Sequence, residues 1–343
     1  MRLVKAVAGL VVLAALGWCG YWFAAASAQE SGLEAWLDAR RAEGWLAETQ
    51  AVEIEGFPLA FERRLEAPEL ADPQAGWSWR APFLAMTSEA WDPTHVRIAF
   101  PEAQSVAVPG RRLDVTAGRL EALAAVVPSR ALRLRALGLD AEALVIADAG
   151  RGADALALGA ERLSLALDRL PTEKAPENAY DVAIEAEGVR LPSALGEAFG
   201  AADGAAGRLR ARGRIVADRP LDREVIEEGE IGLATLVVSE GRLSYAGIGF
   251  DVSGRLDADA EGYAEGTLDV EAQDWRRLLD GLEAAGSVGQ ATAAALRQGL
   301  RLVTLFSDDE RLDITLRFSD GRMRIGPVAI GDAPRLSGPN ANS

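Results

Sequence analysis

Leu312-Asp313-Ile314-Thr315-Leu316-Arg317-Phe318 alternates apolar and polar side chains without a break. Successive side chains of an extended chain point to opposite faces, so Leu312, Ile314, Leu316 and Phe318 share one face and Asp313, Thr315 and Arg317 the other. One buried face and one wetted face is the habit of antiparallel sheet. The same period recurs upstream. Phe250, Val252 and Leu256 alternate with Asp251, Ser253, Arg255 and Asp257, and Leu268 and Val270 with Thr267, Asp269 and Glu271. Turn signals separate such runs at Ser239-Glu240-Gly241, Glu261-Gly262 and Ser319-Asp320-Gly321. The chain therefore reads as mainly β (α+β), an extended antiparallel meander of hairpins with a few flanking helices.

Helical periodicity interrupts the meander over Leu191–Phe199, Arg219–Glu228 and Asp274–Phe306, the last as two helices broken near Gly286-Ser287. The polar stretch Pro171–Asn178, with two prolines, divides residues 45–333 into two β-rich halves that share a sheet. Residues 334–343 read as a disordered tail.

Before the β-rich region lies an uncharged run from Ala6 to Gln29, with Arg2 and Lys5 ahead of it and Glu30 and Glu34 behind. About 20 apolar residues span a bilayer as a helix. The flanking charges place the N-terminus in the cytoplasm, and Trp18, Tyr21, Trp22 and Phe23 form an aromatic belt at the outer end. Residues 1–29 are expected to be a signal anchor whose residues 6–28 cross the inner membrane of a bacterium, leaving the rest periplasmic. Ala26-Ser27-Ala28 also fits a cleavage site, so removal after Ala28 is the alternative. Leu33, Trp36, Leu37 and Arg40 follow helical spacing up to Gly44, which predicts an amphipathic connecting helix over 30–44.

Composition excludes more than it names. Of 343 residues, 36 are Lys or Arg and 52 are Asp or Glu, a net charge of −16. That balance argues against nucleic acid as a partner. One His and one Cys leave no internal disulfide and few routes to a metal site. A bulky Trp18 before Cys19 argues against a lipoprotein signal. His95 sits beside Arg97 on the polar face of a strand whose other face carries Val96, Ile98 and Phe100, and no G-x-S-x-G elbow accompanies it. Asp257, Asp259, Glu261 and Gly262 open like a calcium loop, yet Leu268 stands where the closing carboxylate belongs. With no phosphate-binding loop either, no catalytic residue, cofactor or metal is expected, and no enzyme activity.

One constellation stands out. Arg208, Arg210, Arg212 and Arg214 fall on one side of a strand, with Leu209, Ala211 and Ile215 on the other. Asp181, Glu185 and Glu187 of the preceding strand offer the opposite charge, so the arginines form either a cross-strand ion-pair ladder or a strip for anionic lipid phosphates.

Short motifs also carry a resemblance: Gly44-Trp45, Glu55-Gly56-Phe57-Pro58, Pro82, Trp91-Asp92-Pro93, Gly241-Arg242-Leu243-Ser244-Tyr245, and Asp320-Gly321 leading to Ile325-Gly326-Pro327-Val328. Their succession resembles the proteobacterial domain-of-unknown-function family 2125, which brings no catalytic residues with it. Gly56, Phe57, Pro58, Gly326 and Pro327 read as structural, glycine marking a bulge and proline an edge or a strand start. More distantly the chain is similar to AsmA-like envelope proteins, which implies a curved sheet with an apolar inner face and a part in lipid traffic. The expected function is a membrane-anchored envelope protein that binds or conducts lipid. The alternative is an assembly or scaffold factor that grips another envelope protein, possibly through a sheet edge.

Overall fold

The computed structural model describes residues 2–129, 131–149, 157–171, 173, 175–192, 196–197, 199–201, 205–228, 231–284, 311–326 and 328–337. Every ladder in it is antiparallel, and the 20 strands belong to one sheet.

Helix α1 runs unbroken from Arg2 to Ala42. The expected connecting helix over 30–44 is thus not a separate element, because no glycine or proline intervenes between Gln29 and Leu37 except Gly32, which the helix tolerates. It ends where Gly44 turns to φ 90° and the Trp45 amide donates back to the Arg40 carbonyl at 3.0 Å. Among the described residues, no helix is long and apolar enough to cross a membrane. The side chains of residues 6–9, 11 and 12, part of the expected span, lie outside the described ones.

The N-terminal strands form two arms. One is β1 (Leu46–Glu48), β4 (Glu69–Asp72), β5 (Trp77–Arg80), β8 (Ala103–Val108) and β9 (Arg111–Thr116), paired in that order. The other is β2 (Ala51–Glu55), β3 (Ala60–Glu66), β6 (Phe83–Glu89), β7 (Asp92–Ala99) and β10 (Arg119–Val126). Both arms join β11 (Leu134–Asp148), β10 along its first part and β9 along Val145–Asp148, with Ala143 at φ 51° between them.

From β11 on, each strand pairs with its successor: β12 (Ala157–Arg169), β13 (Ala179–Val189), β14 (Gly207–Ala217), β15 (Leu233–Tyr245), β16 (Ile248–Ala258), β17 (Ala264–Gln273), β18 (Arg311–Ser319), β19 (Arg322–Ile325) and β20 (Val328–Asp332). Pro171–Asn178 only joins two neighbours, since Leu170 donates to the Ala179 carbonyl at 2.9 Å.

Helix α2 (Arg223–Glu228) begins later than its periodicity suggests, because the Asp222 carboxylate caps it, accepting from the amides of Glu224 and Val225. Helix α3 covers Trp275–Ala284, and the second expected helix of that region lies outside the described residues. Within Leu191–Phe199 only Gly196 and Glu197 are described as helical. The tail is ordered farther than its composition suggests: Ala333 is buried, Leu233 donates to the Leu336 carbonyl at 2.7 Å, and Arg335 bridges to Tyr263.

A compact monomer of this size exposes about 13,000 Å² by the usual mass scaling. This one exposes 20,436 Å².

Candidate functional site

Strand alternation gives the sheet two faces of opposite chemistry. On the inner face the registers align residues into rows that cross the strands. One row passes through Ile54, Arg63, Met86, Ile98, Ala122, Leu139, Leu165, Ile184, Ala211, Gly241, Val252, Val270 and Ile314. Twelve strand steps at about 4.8 Å make it roughly 58 Å long. Arg63 is its one charged member.

The helices sit along the borders of this face. Trp22 and Ala26 of α1 pack on Phe61 and Ala90, beside Ile54. Leu221 and Val225, at and before α2, pack on Tyr180 and Ala217. Trp275 and Leu279 of α3 pack on Ala272 and Leu312. Between these borders Leu139, Leu165, Ile184 and Val252 are only half-buried. Burial of apolar area is the main favourable term in folding, and this row of leucine and isoleucine is left only half covered. Toward one border it deepens into a cavity of about 260 Å³ lined by Val189, Leu191, Phe199, Leu243, Tyr245, Ile248 and Phe250. Leu243 is 37% exposed there.

The outer face is a lattice of charges. Arg214, Arg212, Arg210 and Arg208 lie opposite Asp181, Ala183, Glu185 and Glu187. Arg210 and Arg212 share the Glu185 carboxylate at 3.2 and 3.1 Å, and Arg214 meets Asp181 at 3.0 Å. Glu187 pairs instead with Arg162 on β12, whose hydrogen bond and charge hold its carboxyl below the usual range. On the far side Arg210 faces Arg242, which is compensated by Asp251 at 2.6 Å. Arg210, Arg212 and Arg214 are therefore engaged with carboxylates on an exposed surface, while Arg208 lies opposite Glu187, which is taken by Arg162.

His95 lies on this outer face in β7. Its Nδ1 is 2.6 Å from an Asp92 carboxylate oxygen and its Nε2 meets the Arg135 guanidinium. The Asp92 carboxyl is lowered first by the Thr94 hydroxyl and then by His95. Asp257 is held by Arg255 and Thr235, while Asp259 accepts from the amides of Glu261 and Tyr263, so the acidic run is a closed hairpin turn. Among the described residues, no three His, Cys, Asp or Glu converge as a metal site.

Two motifs that are 35 residues apart in sequence meet around α1. Gly56, Phe57 and Pro58 form the β2–β3 turn, not a bulge within a strand, and Trp91 is at the β6–β7 turn. Gly56 is at φ 95°, and a Cβ there would sit 2.8 Å from the Ala60 carbonyl oxygen. Trp18 Nε1 donates to the Pro58 carbonyl, Tyr21 to that of Ala90 and Trp22 to that of Ala60. Phe57 stacks on Phe23 at 5.6 Å. Gly326 turns the chain between β19 and β20 at φ 54°, and Pro327 lies outside the described residues.

Arg63 escapes a reading by motif. Its signal is the alternation Phe61-Arg63-Leu65, which puts a guanidinium on the face that Glu62, Arg64 and Glu66 avoid.

A family model described as an uncharacterised protein conserved in bacteria (DUF2125) matches residues 22–334. No curated protein and no solved structure matches the chain.

Proposed function

The chain belongs to DUF2125, a family of uncharacterised bacterial proteins, and from that premise we propose that it is a non-catalytic envelope protein that holds lipid acyl chains against the inner face of its sheet. In this reading the N-terminal part of α1 anchors it in the inner membrane with the N-terminus cytoplasmic. The expected span 6–28 is shortened, because Trp18, Tyr21, Trp22 and Ala26 are engaged with the sheet. On the same reading the sheet is periplasmic and curved around its apolar rows, in the manner of AsmA-like proteins.

The observation that carries the proposal is the transverse row from Met86 to Ile314, apolar at every position and half-buried along its middle. A folded chain gains by covering such a surface, and an alkyl chain laid across the strands covers it without needing polar partners. The outer arginine strip fits lipid less well, because its guanidiniums already face Glu185 and Asp181.

The test is native mass spectrometry with lipid extraction on the full chain purified from its own membranes. Co-purifying lipid is expected, and Leu165→Asp with Ile184→Asp should abolish it while leaving strand content intact. A stable, lipid-free protein overturns the proposal. That result would favour an assembly role through an open edge, for which β2 is suited: its one recorded ladder is with β3.

A further inference from the structure

Arg63 points into the apolar face. Along β3 its inner-face neighbours are Phe61 and Leu65, both buried. Across the ladders they are Val52 and Ile54 on β2, and Leu84, Met86 and Ser88 on β6. The guanidinium makes one recorded hydrogen bond, from a terminal nitrogen to the Ser88 hydroxyl oxygen at 3.1 Å. Its Nε is buried with no partner. Among the described residues no carboxylate pairs with it. The adjacent Arg64, on the outer face, pairs with Glu66.

A guanidinium does not give up its proton within a protein, so Arg63 cannot neutralise itself as a buried lysine or carboxylate does. Burial alone disfavours its charged form. Arg63 is half-buried, and taking a cation even partly out of water with no counter-ion beside it is costly. The outer face shows that this sequence has carboxylates to spare for arginines, and none is supplied here.

What adjoins Arg63 is the apolar row. It runs through Met86, Ile98, Ala122 and Leu139 to Leu165, five strand steps or about 24 Å, comparable to a long alkyl tail. A single cation at the end of an apolar track matches a ligand with one negative charge at the end of one chain. The planar fork suits a carboxylate bidentately, and the Ser88 hydroxyl, accepting from Arg63, has its own hydrogen left to donate. We propose that Arg63 and Ser88 form the head-group site for a long-chain fatty-acid carboxylate whose tail lies across β6, β7, β10, β11 and β12. This rests on the acyl-binding reading above and names the ligand class.

The test titrates delipidated full-length protein in detergent with palmitate carrying ¹³C at its carboxyl carbon, read by carbon NMR, and in parallel with methyl palmitate and with phosphatidylglycerol vesicles. Palmitate is expected to bind at least tenfold more tightly than its methyl ester, with a shifted, ionised carboxyl resonance. Arg63→Met should erase that preference while methyl palmitate binding is unchanged, which also establishes that the variant is folded. Arg63→Lys should retain part of it. Equal binding of acid and ester, or an unaffected preference in Arg63→Met, overturns the head-group site while leaving the apolar groove standing. Arg63-dependent capture of phosphatidylglycerol with no capture of palmitate overturns the carboxylate assignment. Failure of all three ligands removes the groove reading and this one together.

Discussion

The indole nitrogen of Trp22 donates to the backbone carbonyl of Ala60 across 2.9 Å, joining α1 to a strand 38 residues later. Trp22 is only 4% exposed, and its ring stacks on Phe61 at 5.4 Å. Trp22→Phe should lose about 0.5–1.5 kcal/mol, the net value of one hydrogen bond. Trp22→Ala should lose about 3–5 kcal/mol by cavity formation. Hydrogen exchange of the β2–β3 hairpin measures both, and equal protection in the two variants would contradict a role for Trp22 in holding α1 to the sheet.

Tyr180 is 1% exposed and its hydroxyl donates to the Leu134 carbonyl at 3.3 Å. It projects from β13 into the cluster with Ala217, Leu221 and Val225, beside α2. Tyr180→Phe should cost about 1 kcal/mol, and urea denaturation should show a lowered midpoint with the slope unchanged.

Gly254 on β16 is at φ 145°, and a Cβ there would lie 2.3 Å from the Thr267 carbonyl oxygen of β17. Gly254→Ala must therefore move backbone, and a loss of about 1–3 kcal/mol is expected. Gly110, at φ 77° with open space around its Cβ position, is the control for conformational strain alone.

The carboxyls of Glu69, Glu121, Glu187 and Asp257 are each held below their ordinary range, chiefly by hydrogen bonds from Arg80, Arg119, Arg162 and Arg255. A carboxyl with a lower value in the folded chain contributes stability above its unfolded value, about 4, and loses it as the pH falls through the folded one. The thermal midpoint should be level from about pH 8 to 5 and decline below about 4. Added salt should weaken the same pairs, since charges exposed to solvent are screened by mobile ions.

Much of this architecture is legible from local pattern. Period two across Leu312–Phe318 is β18, and the charges of Arg208–Arg214 and Asp181–Glu187 already imply that β13 and β14 lie side by side. What pattern does not carry is long-range register. Nothing local to Arg63 announces that Ile54 and Met86 flank it, because those ladders are set by separate turns. The ordered stretch 334–337 escapes for a similar reason, being fixed by Gly262 and Tyr263 some 70 residues upstream. The union of α1 with its continuation past Gln29 was hidden by a change of composition that the helical backbone does not register.

From β11 to β20 every strand's ladder partners are its immediate predecessor and successor, apart from the junction with β9 and β10. Such a stack behaves as a one-dimensional array, its stability a sum of neighbour terms, free to nucleate at one end and grow. Loop-closure entropy is then met in small instalments instead of all at once. A chain delivered from its N-terminus can zip strand onto strand as each arrives, and a lesion near β18 should fray the late strands while β11–β13 stay closed.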